Sequence, residues 1–98
     1  MFVRVWLYSV EEQNRAGFEL AYGSDGDWAR LFALGANYLG IELLRGEPGR
    51  YATIDRWRDE SDWRLFMDRY GEAYRALDRQ CEGLTADEVE IGDFTQAV

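Results

Sequence analysis

The stretch FVRVWLYSV, residues 2–10, constrains the chain most. Its β-branched and aromatic content reads as a strand, and successive side chains of a strand point to opposite faces. One face then carries Phe2, Arg4, Trp6 and Tyr8, and the other Val3, Val5 and Leu7. Both faces are largely apolar. An antiparallel sheet with one face in water alternates apolar and polar residues along its strands, so the sheet built on this strand must be covered on both sides.

Residues 60–82 supply the largest cover. Trp63, Phe66, Met67, Tyr70, Tyr74, Leu77 and Cys81 recur at helical spacing as a single apolar stripe. Asp59 is a suitable N-cap with Asp62 three residues on, Glu60 adds a favourable charge to the first turn, and Gly83 can stop the helix. Between strand and long helix the chain is heavily punctuated. EEQNRAG reads as a loop, and FELAY (Phe18 to Tyr22) as a short helix ended by Gly23. Ser24-Asp25-Gly26 is turn chemistry, and Asp27 caps a second short helix over 28–34. Gly35 suits the left-handed position just past that helix, and Asn37 tolerates positive φ. Ile41 to Leu44 is a strand, RGEPGR a hairpin loop, and YATIDRW (Tyr51 to Trp57) the returning strand. VEIGDF, Val89 to Phe94, closes the chain as a last strand.

The order is therefore βαββαβ, which predicts one domain over residues 1–98 with a ferredoxin-like α+β fold. Four antiparallel strands would carry both helical segments on one face. The simplest cover for the other face is a second copy of the same sheet, which predicts a homodimer joined through sheet faces.

Charge and composition exclude several functions. Nineteen acids stand against eleven bases, all of them Arg, for a formal net charge of -8. Such a surface repels phosphate, which disfavours nucleic acid and anionic membrane as partners. There is no His, so the commonest general base and the usual metal and haem ligand are missing. The single Cys81 builds neither a disulfide framework nor a thiolate zinc site, which argues for a cytoplasmic protein. MFVRVWLYSV does not read as a signal peptide, and no stretch is apolar for long enough to span a bilayer. The Gly23–Gly26 turn lacks the Lys and the preceding strand of a phosphate-binding loop. No metal and no cofactor are expected.

FELAYGSDGDWARLF (18–32), NYLGIELLRG (37–46), GRYATIDRW (49–57), the acid-rich start of the long helix and the closing EIGDF (90–94) together resemble the antibiotic biosynthesis monooxygenase family of dimeric α/β barrels. One departure is Asn37, where the family commonly has Gly. The resemblance implies one of two chemistries. The first is oxygenation of phenols or quinols without metal or flavin, the substrate anion itself reacting with dioxygen. The second is haem degradation, which in those relatives uses a His on the long helix and an Asn on strand 1 beside a helical Trp. Here Tyr70 or Tyr74, Trp6 or Tyr8, and Phe66 stand in those neighbourhoods, so all three positions depart together and the haem reading is set aside.

In such a fold a pocket would lie between sheet and helices. Its candidate lining is Trp6, Tyr8, Thr53 and Asp55 from the sheet face that mixes aromatic and polar groups, with Phe18, Tyr22, Trp28, Phe66 and Tyr70 from the helices. The strand pattern leaves open which sheet face meets the helices. Many of these aromatics also read simply as core, since any packed helix shows an apolar stripe. Arg4 and Asp55, on neighbouring strands, read as a structural pair before a substrate clamp. If burial raises its pKa, Asp55 is a candidate base toward an acidic phenol, and Tyr8, Tyr51 or Tyr70 could orient the phenolate. Cys81 reads as an inert filler. The function the resemblance implies is cofactor-independent monooxygenation of a small aromatic such as a phenol, quinol or anthrone. The alternatives are a non-catalytic ligand-binding or assembly module, and a barrel isomerase or cyclase. A pocket filled by its own aromatics favours the binding module; an open one reaching Asp55 favours an enzyme.

Overall fold

The computed structural model describes residues 1–98, and its elements follow the order expected from the sequence. β1 (Phe2–Ser9) leads through a 3-10 turn at Glu12–Asn14 into α1 (Arg15–Tyr22) and α2 (Asp27–Phe32). The hairpin of β2 (Tyr38–Arg45) and β3 (Arg50–Trp57) follows, then α3 (Glu60–Cys81), a 3-10 turn at Glu82–Leu84, and β4 (Asp87–Thr95). All four strands form one antiparallel sheet in the order β2-β3-β1-β4. This is the ferredoxin-like α+β arrangement. No helix is long and apolar enough to cross a membrane.

The aromatic side chains hold the helices to one face of the sheet. In register, Phe2, Arg4, Trp6 and Tyr8 of β1 lie opposite Trp57, Asp55, Thr53 and Tyr51 of β3. Phe18 of α1, Trp57 and Phe66 of α3 are essentially inaccessible to water. Phe32 of α2 sits among Trp57, Trp63 and Phe66 with ring centroids 5.4–6.1 Å away. Edge-to-face contacts of this kind add about 0.5–1.5 kcal/mol each to the area buried. At the start of α3 the Asp62 carboxylate accepts the Asp59 backbone N–H at 3.2 Å, the reciprocal half of a capping box.

Four local expectations are corrected. α1 begins at Arg15, inside the stretch expected to be loop, because Phe18, Ala21 and Tyr22 already form a buried stripe that draws the preceding turn into the helix. α2 spans Asp27–Phe32 with Gly26 as its N-cap, and the Asp27 carboxylate pairs with Arg30 instead of capping. Gly35 is not left-handed. A Cβ there would stand 3.0 Å from both Phe66 and Trp57, so glycine serves close packing. β2 begins at Tyr38, because Leu39 is the extra residue of a bulge around Gly40, whose φ is +130°. That bulge places Tyr38 and Ile41 on the same face and hides the alternation. Asn37 does take positive φ, 63°.

Gly26 is the tightest of the glycine positions. An added Cβ would meet the Leu20 carbonyl oxygen at 2.3 Å and that of Ala21 at 2.5 Å, both rigid backbone. Gly26→Ala should therefore cost about 3 kcal/mol, the upper end of overpacking effects. A urea titration reads this as a lower midpoint at unchanged slope; an unmoved midpoint would show that the Gly23–Gly26 turn yields freely.

The second sheet face has nothing over it. Leu44, Ala52, Leu7 and Val89 form one row across the strands, Ile54 and Val5 sit in the next, and Val3 with Phe94 beyond them. Leu44, Val89 and Phe94 are 42–50% exposed.

Candidate functional site

Between the sheet and the helices lies a cavity of about 30 Å³, room for a water molecule or two. Trp6, Tyr8, Thr53 and Asp55 reach it because β1 and β3 turn that face toward the helices. Ile41 of β2 closes one side. Tyr22, Trp28 and Phe32 cover it from α1 and α2, Tyr74 and Asp78 from α3, and Glu88 from β4. Asp78 and Glu88 are exposed, so they stand at its mouth.

Asp55 is the chemically distinctive group. Only 5% of it is exposed, and its Oδ1 has no hydrogen-bond partner. The expected pairing with Arg4 does not form, although the two are cross-strand neighbours. Arg4 instead donates from Nε to Asp93 Oδ1 at 3.0 Å and from Nη2 to Glu90 Oε1 at 3.4 Å, and lies over the Trp63 ring, 4.2 Å from its centroid. Asp93, its register partner on the other side, is still partly in water. Pairing there costs less desolvation than pairing with a buried carboxylate. Burial consequently pushes Asp55 up to about 7, against the pull of the Arg4 charge and with a further push from Asp93.

The tyrosines do the opposite work. Tyr8 shares a hydrogen bond with Thr53 Oγ1 at 3.2 Å, and burial raises its pKa. Burial also raises Tyr22 and Tyr38, and raises Tyr74 against the lowering effect of Arg4 beside it. All four are neutral phenols near pH 7, able to donate a hydrogen bond and unable to act as bases.

Of the site residues named from the sequence, the structure brings Trp6, Tyr8, Tyr22, Trp28, Thr53 and Asp55 together around this cavity. Phe18 and Phe66 are core instead, and Arg4 and Tyr70 do not line it. Tyr70 packs against Phe66, and Tyr51 donates to Glu19 Oε2 at 2.6 Å, away from the cavity. Sequence reasoning missed Phe32, Ile41, Tyr74, Asp78 and Glu88 as lining. Tyr74 and Asp78 are four apart on one helix, which could have flagged them; Glu88 had no local signal.

This fold is that of the antibiotic biosynthesis monooxygenases. Among solved structures, a variant of SnoaB, a cofactor-independent oxygenase from Streptomyces nogalater, is 22% identical with a TM-score of 0.73 over 99% of this chain and 93% of its own. A variant of MhuD carrying two manganese protoporphyrin IX molecules per active site is 16% identical, with a TM-score of 0.72 over 100% and 96%. A third, an antibiotic biosynthesis monooxygenase, is 15% identical at a TM-score of 0.59 over 100% and 99%. No protein-family model and no curated protein matches the sequence. At these identities the likeness is one of fold.

A porphyrin does not fit the residues present here. The chain has no His to ligate iron. Burial keeps the lining Tyr8, Tyr22 and Tyr74 as neutral phenols and not the tyrosinate a haem iron would take, and a cavity of about 30 Å³ is far too small for a macrocycle.

Proposed function

We propose that this protein is a cofactor-independent monooxygenase of a small phenol or quinol, working in the cytoplasm as a homodimer. Asp55 carries the reading: a buried carboxyl without a partner, on the wall of an aromatic cavity, with its pKa raised to about 7. A general base works best when its pKa lies near the working pH. Asp55 takes the phenolic proton, and Tyr8 and Tyr74 steady the phenolate by donating hydrogen bonds. The anion passes an electron to dioxygen, and the resulting radicals join as a peroxide at a ring carbon bearing hydrogen. Breaking the O–O bond leaves one oxygen atom as a new carbonyl. The other departs as water with two substrate hydrogens, so the substrate supplies all the electrons.

A volume of about 30 Å³ admits no aromatic ring as it stands. A substrate must part the half-buried Trp6 and Tyr74, and a single ring needs less opening than an anthrone or naphthol. The same tight filling favours a second reading, a binding module without catalysis. Oxygen uptake decides between them. A panel of single-ring phenols and quinols in chelator-containing buffer should consume dioxygen, faster as pH rises through about 7, where Asp55 ionises. Asp55→Asn should slow uptake by about 10²-fold. No uptake above the uncatalysed rate across the panel would leave the binding module.

The dimer is supported by the bare sheet face. Its apolar rows present the same patch from each protomer, as a two-fold interface requires.

A further inference from the structure

The cavity and its mouth carry one sign of charge. Asp55 stands inside, while Asp78 of α3 and Glu88 of β4 stand at the opening. No arginine lines the space; Arg4, whose charge is felt by Asp55 and Tyr74, is held by Asp93 and Glu90 and laid over Trp63. Neither Asp78 nor Glu88 forms an ion pair. Glu88 accepts only the Thr85 hydroxyl, at 3.2 Å, and burial, with the neighbouring Asp78 charge adding to it, disfavours its ionised form. Asp55 Oδ1, buried and unpartnered, adds an acceptor on the cavity wall. Trp6 and Tyr74 line the same space as these carboxylates. Unneutralised carboxylates among aromatic faces are the chemistry that recognises an organic cation. An anionic ligand would add to the repulsion already present.

We propose that the cavity, widened by displacement of the half-buried Trp6 and Tyr74, takes a phenol bearing a protonated amine, its ammonium between Asp78 and Glu88 at the mouth and its phenol directed at Asp55. The proposal rests on the cavity being the substrate site, as in the reading above, and adds the charge of the substrate.

Three probes with the same phenol separate charge from shape: tyramine, neutral 4-ethylphenol and anionic 3-(4-hydroxyphenyl)propionate. Titrated calorimetrically at low ionic strength, tyramine should bind about tenfold more tightly than 4-ethylphenol, with the propionate weakest. The preference should shrink to about twofold in Asp78→Asn with Glu88→Gln, and should fall with added salt. Both positions are exposed, so the fold should tolerate the change. Glu72→Gln, an exposed acid elsewhere on α3, should keep the preference. The proposal is overturned if 4-ethylphenol or the propionate binds as tightly as tyramine, if none of the three binds, or if Glu72→Gln erodes the preference as much as the mouth variant. Oxygen uptake is read separately. Phenols consumed without charge preference overturn this proposal alone, whereas tyramine bound with no phenol oxidised overturns the oxygenase reading and keeps the cation site.

Discussion

At pH 8 the Asp55→Asn protein should melt several degrees above the unsubstituted one, and near pH 4 the advantage should be gone. Asp55 rises from an ordinary 3.8 to about 7 in the fold, a shift of about 3 units. At 1.36 kcal/mol per unit this is about 4 kcal/mol. The sign follows from proton counts. Between pH 4 and 7 the folded chain holds a proton on Asp55 that the unfolded chain has released, so stability falls as pH rises through this window. Above about 7 the fold carries a charge that burial disfavours. Asn cannot ionise, and the difference between the two proteins isolates this group from the other acids. The new amide brings donors that need partners, at about 1–3 kcal/mol, which trims the gain. For a domain of this size each remaining kcal/mol moves the melting point by about 4–8 °C. Calorimetry at a series of pH values measures it. A variant less stable at every pH, with an unchanged pH slope, would show that Asp55 is a partnered structural group. A variant that gains stability while losing oxygen uptake would show stability given up for a base.

Replacing Val89 and Phe94 together by Asp should convert the proposed dimer to monomer. Both lie on the bare sheet face and are 47% and 50% exposed within one chain, so the protomer itself loses little. In a two-fold interface each substitution occurs twice, placing four carboxylates against an apolar partner surface. Burying even one unpaired charge costs several kcal/mol, so dissociation should strengthen by well over 10³-fold. Light scattering behind a sizing column should report about twice the 11.4 kDa chain mass for the parent at micromolar concentration, and a single chain mass for the variant. The circular dichroism of the variant should still show the α+β fold. A parent that runs as a monomer, or a variant that stays dimeric, would remove the sheet face as the interface.

The elements set by short-range pattern were legible in the residues themselves. β1 is apolar on both faces, α3 carries one unbroken stripe from Trp63 to Cys81, and the Asp59–Asp62 capping box marks its start. Periodicity of 2 or 3.6 is a local property, and it survives in sequence. From it came the element order, the fold class and the grouping of Tyr8, Thr53 and Asp55 on one sheet face. Which face meets the helices was decided only by the tertiary structure. Where the backbone departs from regularity, pattern misleads: the bulge at Gly40 concealed the first turn of β2, and Gly35 proved to be a close-packing position. The site depended on more distant choices. Arg4 had carboxylates on both neighbouring strands, and took the half-solvated Asp93 and Glu90 over the buried Asp55. That choice left Asp55 unpartnered, and its burial raised the pKa. Glu88 comes near Asp78 at the cavity mouth only because β4 pairs with β1 at the edge of the sheet. Competition among partners far apart in the chain is settled by desolvation and packing, which exist only once the elements have met; no local spacing encodes them.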